Sequence, residues 1–211
     1  MDSEFSALID QLSHPKSPKR RSAAKRLRKL GDRAAGPFLL EALKKELKDK
    51  RTWETQYQLI MAVGHCDYRP ALKYILSLAD ESFVGMVHIA IGDTLLRLSR
   101  QNERDVQICF DLIENGNREL VSGAIQAIAM LRMVPSDQDI QRLIEYGVSL
   151  ELGAYHDGDI MRLLRAAPGW PAELVEPLFA KLSSVDLSKK QHIQAEIDLA
   201  KEQKYHKWSP L

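Results

Sequence analysis

The sequence predicts an all-α solenoid of about five stacked helical hairpins with a capping helix at each end. Three observations carry this reading. An apolar pair recurs: Leu27 and Leu30 return as Ile60 and Val63, as Leu95 and Leu98, and as Ile128 and Leu131, at steps of 33, 35 and 33 residues. A period of that size, filled with helical pattern, belongs to stacked helix pairs. Turn residues recur with it, Gly64 lying 33 residues after Gly31 and Pro70 lying 33 after Pro37. No clustering of Gly, Pro and β-branched residues marks a strand.

The elements follow in order. Asp2 or Ser3 can cap a helix to about Ser13, with Phe5, Leu8, Ile9 and Leu12 on one stripe. Ser17 can cap the next, with Pro18 at its first position and Ala23, Ala24, Leu27 and Leu30 buried. Gly31 ends it. Asp32 leads into a helix over 34–48, with Pro37 in its first turn and Phe38, Leu39, Ala42, Leu43 and Leu47 apolar. The second pair spans 52–63 and 70–79, the latter burying Leu72, Ile75, Leu76 and Ala79. The third spans 83–100 and 103–114, and the fourth 118–133 and 136–150 with Ser136 as cap. The fifth is degenerate, 158–167 and 173–182, broken at Pro168-Gly169-Trp170-Pro171. A last helix over 188–204 carries Ile193, Ile197 and Ala200 on one face. Residues 1–211 read as one domain: an N-terminal capping helix (1–15), repeats (17–185), and a C-terminal capping helix and tail (186–211).

Composition bounds the class. Hydrophobic residues make up 45%, enough for a continuous core, and the net charge is +1. That charge is uneven: residues 16–51 hold fourteen Lys/Arg against four Asp/Glu, and residues 52–211 hold sixteen against twenty-two. The first residues lack the basic and apolar regions of a signal peptide, and no apolar run approaches a membrane span, so the sequence is expected to be soluble, cytoplasmic and without membrane contact. Cys66 and Cys109, both inside apolar helical pattern, read as reduced core thiols.

The segment from Ser22 to Leu43 combines an Ala/Leu helix, the Gly31-Asp32 turn, Pro37 opening a second helix, and an apolar end. It resembles a HEAT repeat of the short bacterial type. Residues Gln58 to Leu76 resemble it again through Gly64, Asp67 and Pro70, whereas Ser99 and Arg132 stand where the glycine would recur. The resemblance extends over residues 18–150 and weakens over 151–185. It implies a right-handed α-α superhelix. It implies little about function, since the same repeat serves scaffolds, adaptors, inhibitors, lyases and one class of DNA glycosylase. In such stacks the second helix of each pair commonly lines the concave side. That makes Lys44, Lys45, Lys48, Lys73, Tyr74, Asp111, Glu114, Arg142, Glu145 and Tyr146 candidate partner-binding residues.

Other features are weighed against ordinary structural roles. Arg21, Lys25, Arg28 and Lys29 can contact phosphates, extended by Lys44, Lys45, Lys48, Lys50 and Arg51. The alternatives are a solvated helix face or a dock for an acidic protein, and a pI of 7.8 falls below the value of about 9 usual for a nucleic-acid domain. Trp53, Tyr57 and Tyr74 can form an aromatic anchor or simply pack between repeats. The acids Asp137, Asp139, Glu145, Glu151, Asp157 and Asp159 can meet a basic partner or water. Trp53, Glu54 and Trp170 do not recreate the aromatic-plus-carboxylate site of a glycosylase. His156-Asp157-Gly158-Asp159, His65-Cys66, and His88 with Asp93 are too isolated for a metal or hydrolase site, so neither catalytic residue, metal nor cofactor is expected. The sequence therefore reads as a non-enzymatic, monomeric protein-binding module. Its concrete version is an inhibitor or immunity-type protein that binds a toxin or effector. The alternative is a nucleic-acid binder, glycosylase-like, acting through residues 16–51.

Overall fold

The computed structural model describes residues 3–153, 156–188 and 190–208. Among these are twelve α-helices, joined by turns and short 3-10 segments, and no strand. The chain divides into two compact units. The first takes the chain up to Ser99 together with Ile108–Ala124; the second takes Arg100–Gln107 and the chain from Ile125.

The first unit contains α1 (Ser3–Gln11), α2 (Ser17–Leu30), α3 (Gly36–Glu46), α4 (Trp53–His65), α5 (Leu72–Ser77) and α6 (Gly85–Ser99). It also takes nearly all of α7 (Gln107–Glu114) and the first half of α8 (Arg118–Leu131). Helices α2, α4 and α6 pack successively, α1 packs on α2, α3 on α4, and α5 on α6. The first helices of the pairs thus form one layer and the second helices another. Covered by α2 and α6, α4 buries every residue from Thr55 to Gly64. Helix α6 likewise buries Ile91 to Leu98. A helix hidden on all sides is the mark of an interior layer. Helix α2 buries only Ala23, Ala24 and Leu27.

Small residues let this layer close up. A Cβ on Gly92 would lie 2.0 Å from the Leu120 carbonyl oxygen, and one on Gly123 would lie 2.0 Å from that of Ile89. The backbones themselves are in contact there, with no room for a side chain. A Cβ on Gly64 would sit 2.7 Å from Thr94 Oγ1. That hydroxyl donates to the Ile60 carbonyl at 2.9 Å, tying α6 to α4.

The second unit holds the rest of α8 with α9 (Asp137–Ser149), α10 (Asp157–Ala166), α11 (Ala172–Ser183) and α12 (Gln191–Lys201). Helix α9 packs on α10 and α11, and α10 on α12. Ser136 caps α9, accepting from the Asp139 N–H at 3.2 Å. At the other end of α9, the Lys181 ammonium donates to the Val148 and Leu150 carbonyls. A cation there meets both the unpaired carbonyls and the negative end of the helix dipole. The Trp170 indole N–H donates to the Met133 carbonyl at 2.9 Å. The segment after α12 returns to this unit: Gln203 Oε1 accepts from the Gly169 N–H at 2.7 Å, and Arg132 stacks 4.6 Å from the Tyr205 ring centre.

Several local expectations are corrected. Ser17 does not cap α2. Lys16 holds that position, and the Ser17 hydroxyl instead meets Glu46 and Thr55. Asp2 lies outside the described residues. Gly31 ends α2 in the left-handed region at φ 65°, as read from the sequence. Gly64 ends nothing: α4 runs on to His65, and the left-handed residue is Asp67, φ 47°. The glycine at 64 is there for its missing Cβ, not its backbone freedom. Arg132 keeps the left-handed turn, φ 52°, without a glycine. Leu30, Phe38 and Leu76 are not core; they are 56%, 46% and 49% exposed. Three of the second helices, and the last helix, start later than the apolar pattern indicated. Short 3-10 turns, Arg33–Ala35 and Arg69–Ala71, precede α3 and α5, α7 begins at Gln107, and α12 begins at Gln191 after Lys190 rather than at Ser188.

Gly92→Ala and Gly123→Ala are each expected to lower the unfolding free energy by about 3 kcal/mol or more, because rigid backbone cannot yield to the added methyl. Gly153→Ala, whose Cβ would have nothing within 4 Å, is the control and should stay within about 0.5 kcal/mol in urea titrations.

Candidate partner-binding surface

Helix α3 begins after Asp32, whose carboxylate accepts from the Ala34 N–H, and carries Pro37 in its first turn. It buries Leu39 and Leu43, which leaves Lys44, Lys45 and Lys48 exposed at and beyond its C-terminal end. Helix α5 buries Ile75, exposes Lys73 and leaves Tyr74 half-buried. The two helices meet at the surface, where the Lys44 ammonium sits 5.6 Å from the Tyr74 ring centre and donates to Glu41 at 2.7 Å. Asp111 and Glu114 are exposed on α7. In the second unit, α9 exposes Glu145 and half-buries Arg142 and Tyr146.

The basic helix α2 is more engaged than its charge count indicates. Arg20 grips Glu46 through Nε at 2.6 Å and Nη2 at 2.8 Å. Its Nη1 donates to the His14 and Pro15 carbonyls. The Ser17 hydroxyl donates to the same carboxylate at 3.0 Å. Glu46 is 2% exposed and Arg20 20%. Burial alone would raise the Glu46 carboxyl; the hydrogen bonds from Arg20 and Ser17 outweigh it and hold that carboxyl below its ordinary range. Arg21 pairs with Glu54, and Arg26 with Glu4. Lys25 and Lys29 remain exposed and Arg28 half-buried. Beside this network, Ile9, Pro37 and Phe38 help to line a cleft of about 670 Å³.

The aromatic set separates. Tyr57 is 5% exposed and belongs to the buried α4, so it is not a surface a partner can reach; this corrects its reading as a binding residue. Trp53 is half-buried at the start of α4, and Trp170 is buried. The acidic stretch is partly spent on structure. Asp139 pairs with Ser136 and lies 3.9 Å from Arg142, Asp157 takes Lys190 at 2.8 Å, and the buried Asp159 faces Arg162 at 3.8 Å. His156 stands at the N-terminal boundary of α10, and among the described residues no three His, Cys, Asp or Glu side chains converge as metal ligands. His88 meets the Glu81 carbonyl while Asp93 is buried with Arg97. Burial, with Arg97 and Arg28 nearby, pushes His65 down to about 2, so it stays neutral. Burial pushes the thiols of Cys66 and Cys109 up to about 12, which leaves both poor nucleophiles.

Three features escaped the sequence reading. The Arg20–Glu46–Ser17 network joins residues 26 and 29 apart, and nothing local marks Glu46 among its lysines. Phe38 looked like core because its helical spacing fits. Pro177 lies inside α11, and its position in an apolar helical run was a signal available in the sequence.

Stacked two-helix layers of this kind define an all-α repeat protein. Residues 19–45 match the family model of the PBS lyase HEAT-like repeat. That match supports a HEAT-like repeat family for this chain. No curated protein and no solved structure matches it significantly. No described helix is long and apolar enough to cross a membrane.

Glu46→Gln keeps the size of the side chain and removes its charge. Because the folded carboxyl lies below its ordinary 4.5, the pair stabilises the fold above that pH and loses its contribution as pH falls through the folded value. At neutral pH the variant is expected to be about 2–3 kcal/mol less stable, below the range for a fully enclosed pair because Arg20 is part-exposed. Urea titrations should show this gap narrowing as the pH drops well below 4.5.

Proposed function

We propose that this protein is a non-catalytic protein-interaction module. The observation that carries the reading is the outer surface of α3 and α5. Lys44, Lys45 and Lys48 are exposed at the end of α3 and Lys73 on α5, where Lys44 sits over the half-buried Tyr74 ring and Leu76 is exposed, while the exposed Phe38 lines the cleft on the α1 side of α3. Cations interleaved with apolar groups suit a protein surface that is acidic and partly apolar. Charge then speeds and selects the encounter, and the apolar groups slow release. HEAT-like repeats are commonly built for such use, which adds to the reading. The specific form proposed is an inhibitor or immunity-type protein that neutralises a toxin or effector.

The second reading, nucleic-acid binding through α2, draws on exposed Lys25 and Lys29 with Arg28. Arg20 is committed to the buried Glu46, while the pairs of Arg21 with Glu54 and Arg26 with Glu4 lie at the surface and exchange as easily as that of Lys44 with Glu41. The near-neutral charge of the whole chain, with a pI of 7.8, favours the protein partner over the nucleic acid.

Two comparisons separate the readings. Tagged wild type, expressed in its native host, is expected to retain a protein that Lys44→Glu/Lys48→Glu/Lys73→Glu loses by about tenfold or more. Labelled DNA and RNA, titrated at about 50 and 200 mM salt, should bind weakly and without preference for wild type over Arg21→Glu/Lys25→Glu/Arg28→Glu. Steeply salt-sensitive binding lost in that second variant would reverse the order. The immunity-type form fails if the protein neither binds nor protects against any product of its neighbouring genes.

A further inference from the structure

The second unit has a groove between α9 and α11 that no feature above explains. Its volume is about 460 Å³. Ile144 and Val148 line it from α9, and Leu174 and Pro177 from α11. Val148 is 37% exposed, high for an aliphatic side chain on a packed helix face. The lining is completed at the edges by acids, Glu145 on one helix and Glu173 on the other, both exposed.

Two further observations give the groove a sign. The two helices that form it, 137–149 and 172–183, carry five Asp/Glu and two Lys/Arg. Both cations are engaged: Arg142 meets Asp139, and Lys181 is held on the Val148 and Leu150 carbonyls. Glu145 and Glu173 have no such cation among the described residues. Pro177 adds a backbone acceptor. It has no N–H, so the Glu173 carbonyl, four residues earlier, cannot receive its helical hydrogen bond. The neighbouring C-terminal end of α9 already accepts one ammonium, that of Lys181, on its carbonyls.

We propose that the α9–α11 groove receives a basic amphipathic segment of a partner protein, its apolar side chains on Ile144, Val148, Leu174 and Pro177 and its cations on Glu145 and Glu173. A helix with apolar residues at i, i+3, i+4 and i+7 presents such a stripe, and grooves between helices are a standard receptor for one. The two units thus offer chemically opposite surfaces, a cationic one on α3 and α5 and an anionic, apolar-floored one on α9 and α11. The proposal rests on the protein-interaction reading and names one chemistry of partner for it.

The test uses the full chain and a synthetic amphipathic helical peptide with leucines at those spacings and lysines elsewhere. A second peptide carries glutamates in place of the lysines. The lysine peptide is expected to bind at least about tenfold more tightly than the glutamate peptide, with weakening at high salt. Backbone amide shifts in NMR titration should concentrate in α9 and α11. Glu145→Lys/Glu173→Lys should lose about tenfold or more of this binding. Val148→Ser should weaken it at unchanged charge. All three positions are surface-accessible, so the variants should keep the wild-type melting temperature. Shifts confined to α2, α3 or the cleft beside them, or equal binding of both peptides, would overturn the proposal. So would unchanged affinity in Glu145→Lys/Glu173→Lys. The protein-interaction reading survives that failure if Lys44→Glu/Lys48→Glu/Lys73→Glu still loses its host partner, and falls separately if it does not.

Discussion

Helices α4, α6 and the start of α8 can lie as close as they do because Gly64, Gly92 and Gly123 have no Cβ. At the α6–α8 crossing both Gly92 and Gly123 meet a backbone oxygen, which cannot rotate away, whereas at the α4–α6 crossing Gly64 meets the Thr94 side chain. The α6–α8 spacing is therefore fixed by backbone contact, and the α4–α6 spacing by Gly64 against a Thr94 side chain whose hydroxyl is held on the Ile60 carbonyl. The second helices inherit that spacing: α3 rests on α4 and α5 on α6. The separation that brings Lys44 over the Tyr74 ring follows from it. The surface proposed for a partner is thus a consequence of a layer in which that surface takes no part.

Charge divides along the same line between fold and function. Where a cation meets a buried acid, as Arg20 meets Glu46 or Arg97 meets Asp93, removing either partner leaves an uncompensated charge in a poor solvent. Such residues serve the fold. Pairs at the surface, such as Lys44 with Glu41, are worth little and exchange easily for contacts with a partner. The basic character of residues 16–51 is therefore two things at once. The arginines of α2 are largely paired with acids, and the lysines of both α2 and α3 face outward.

Much of the fold was legible because helical periodicity, Gly31, Asp32, Pro37 and Ser136 are local signals with local causes. What failed depends on neighbours. Leu30 and Phe38 have the right spacing for a core, but which apolar residues are covered is decided by where α1 and α4 actually lie. Gly64 looked like a terminator by analogy with Gly31, yet its role comes from Thr94, thirty residues away in sequence. Tyr57 looked like an anchor because aromatic residues serve both interiors and interfaces, and only the layer around α4 decides between them. The candidate surface was half legible. Its lysines were read from their place on second helices, while the α9–α11 groove needed the packing of two helices and a proline whose effect is on a carbonyl four residues away.

The lysines themselves are the probes for the central claim. Amine-reactive cross-linking in the native host, followed by mass spectrometry, compares Lys44, Lys45, Lys48 and Lys73 on the second-helix surface with Lys19, Lys25 and Lys29 on α2. The account predicts cross-links to one acidic protein, concentrated on the first group. Protein cross-links spread evenly over both groups, or nucleic acid recovered on Lys25 and Lys29 with no protein on Lys44 and Lys73, would contradict it.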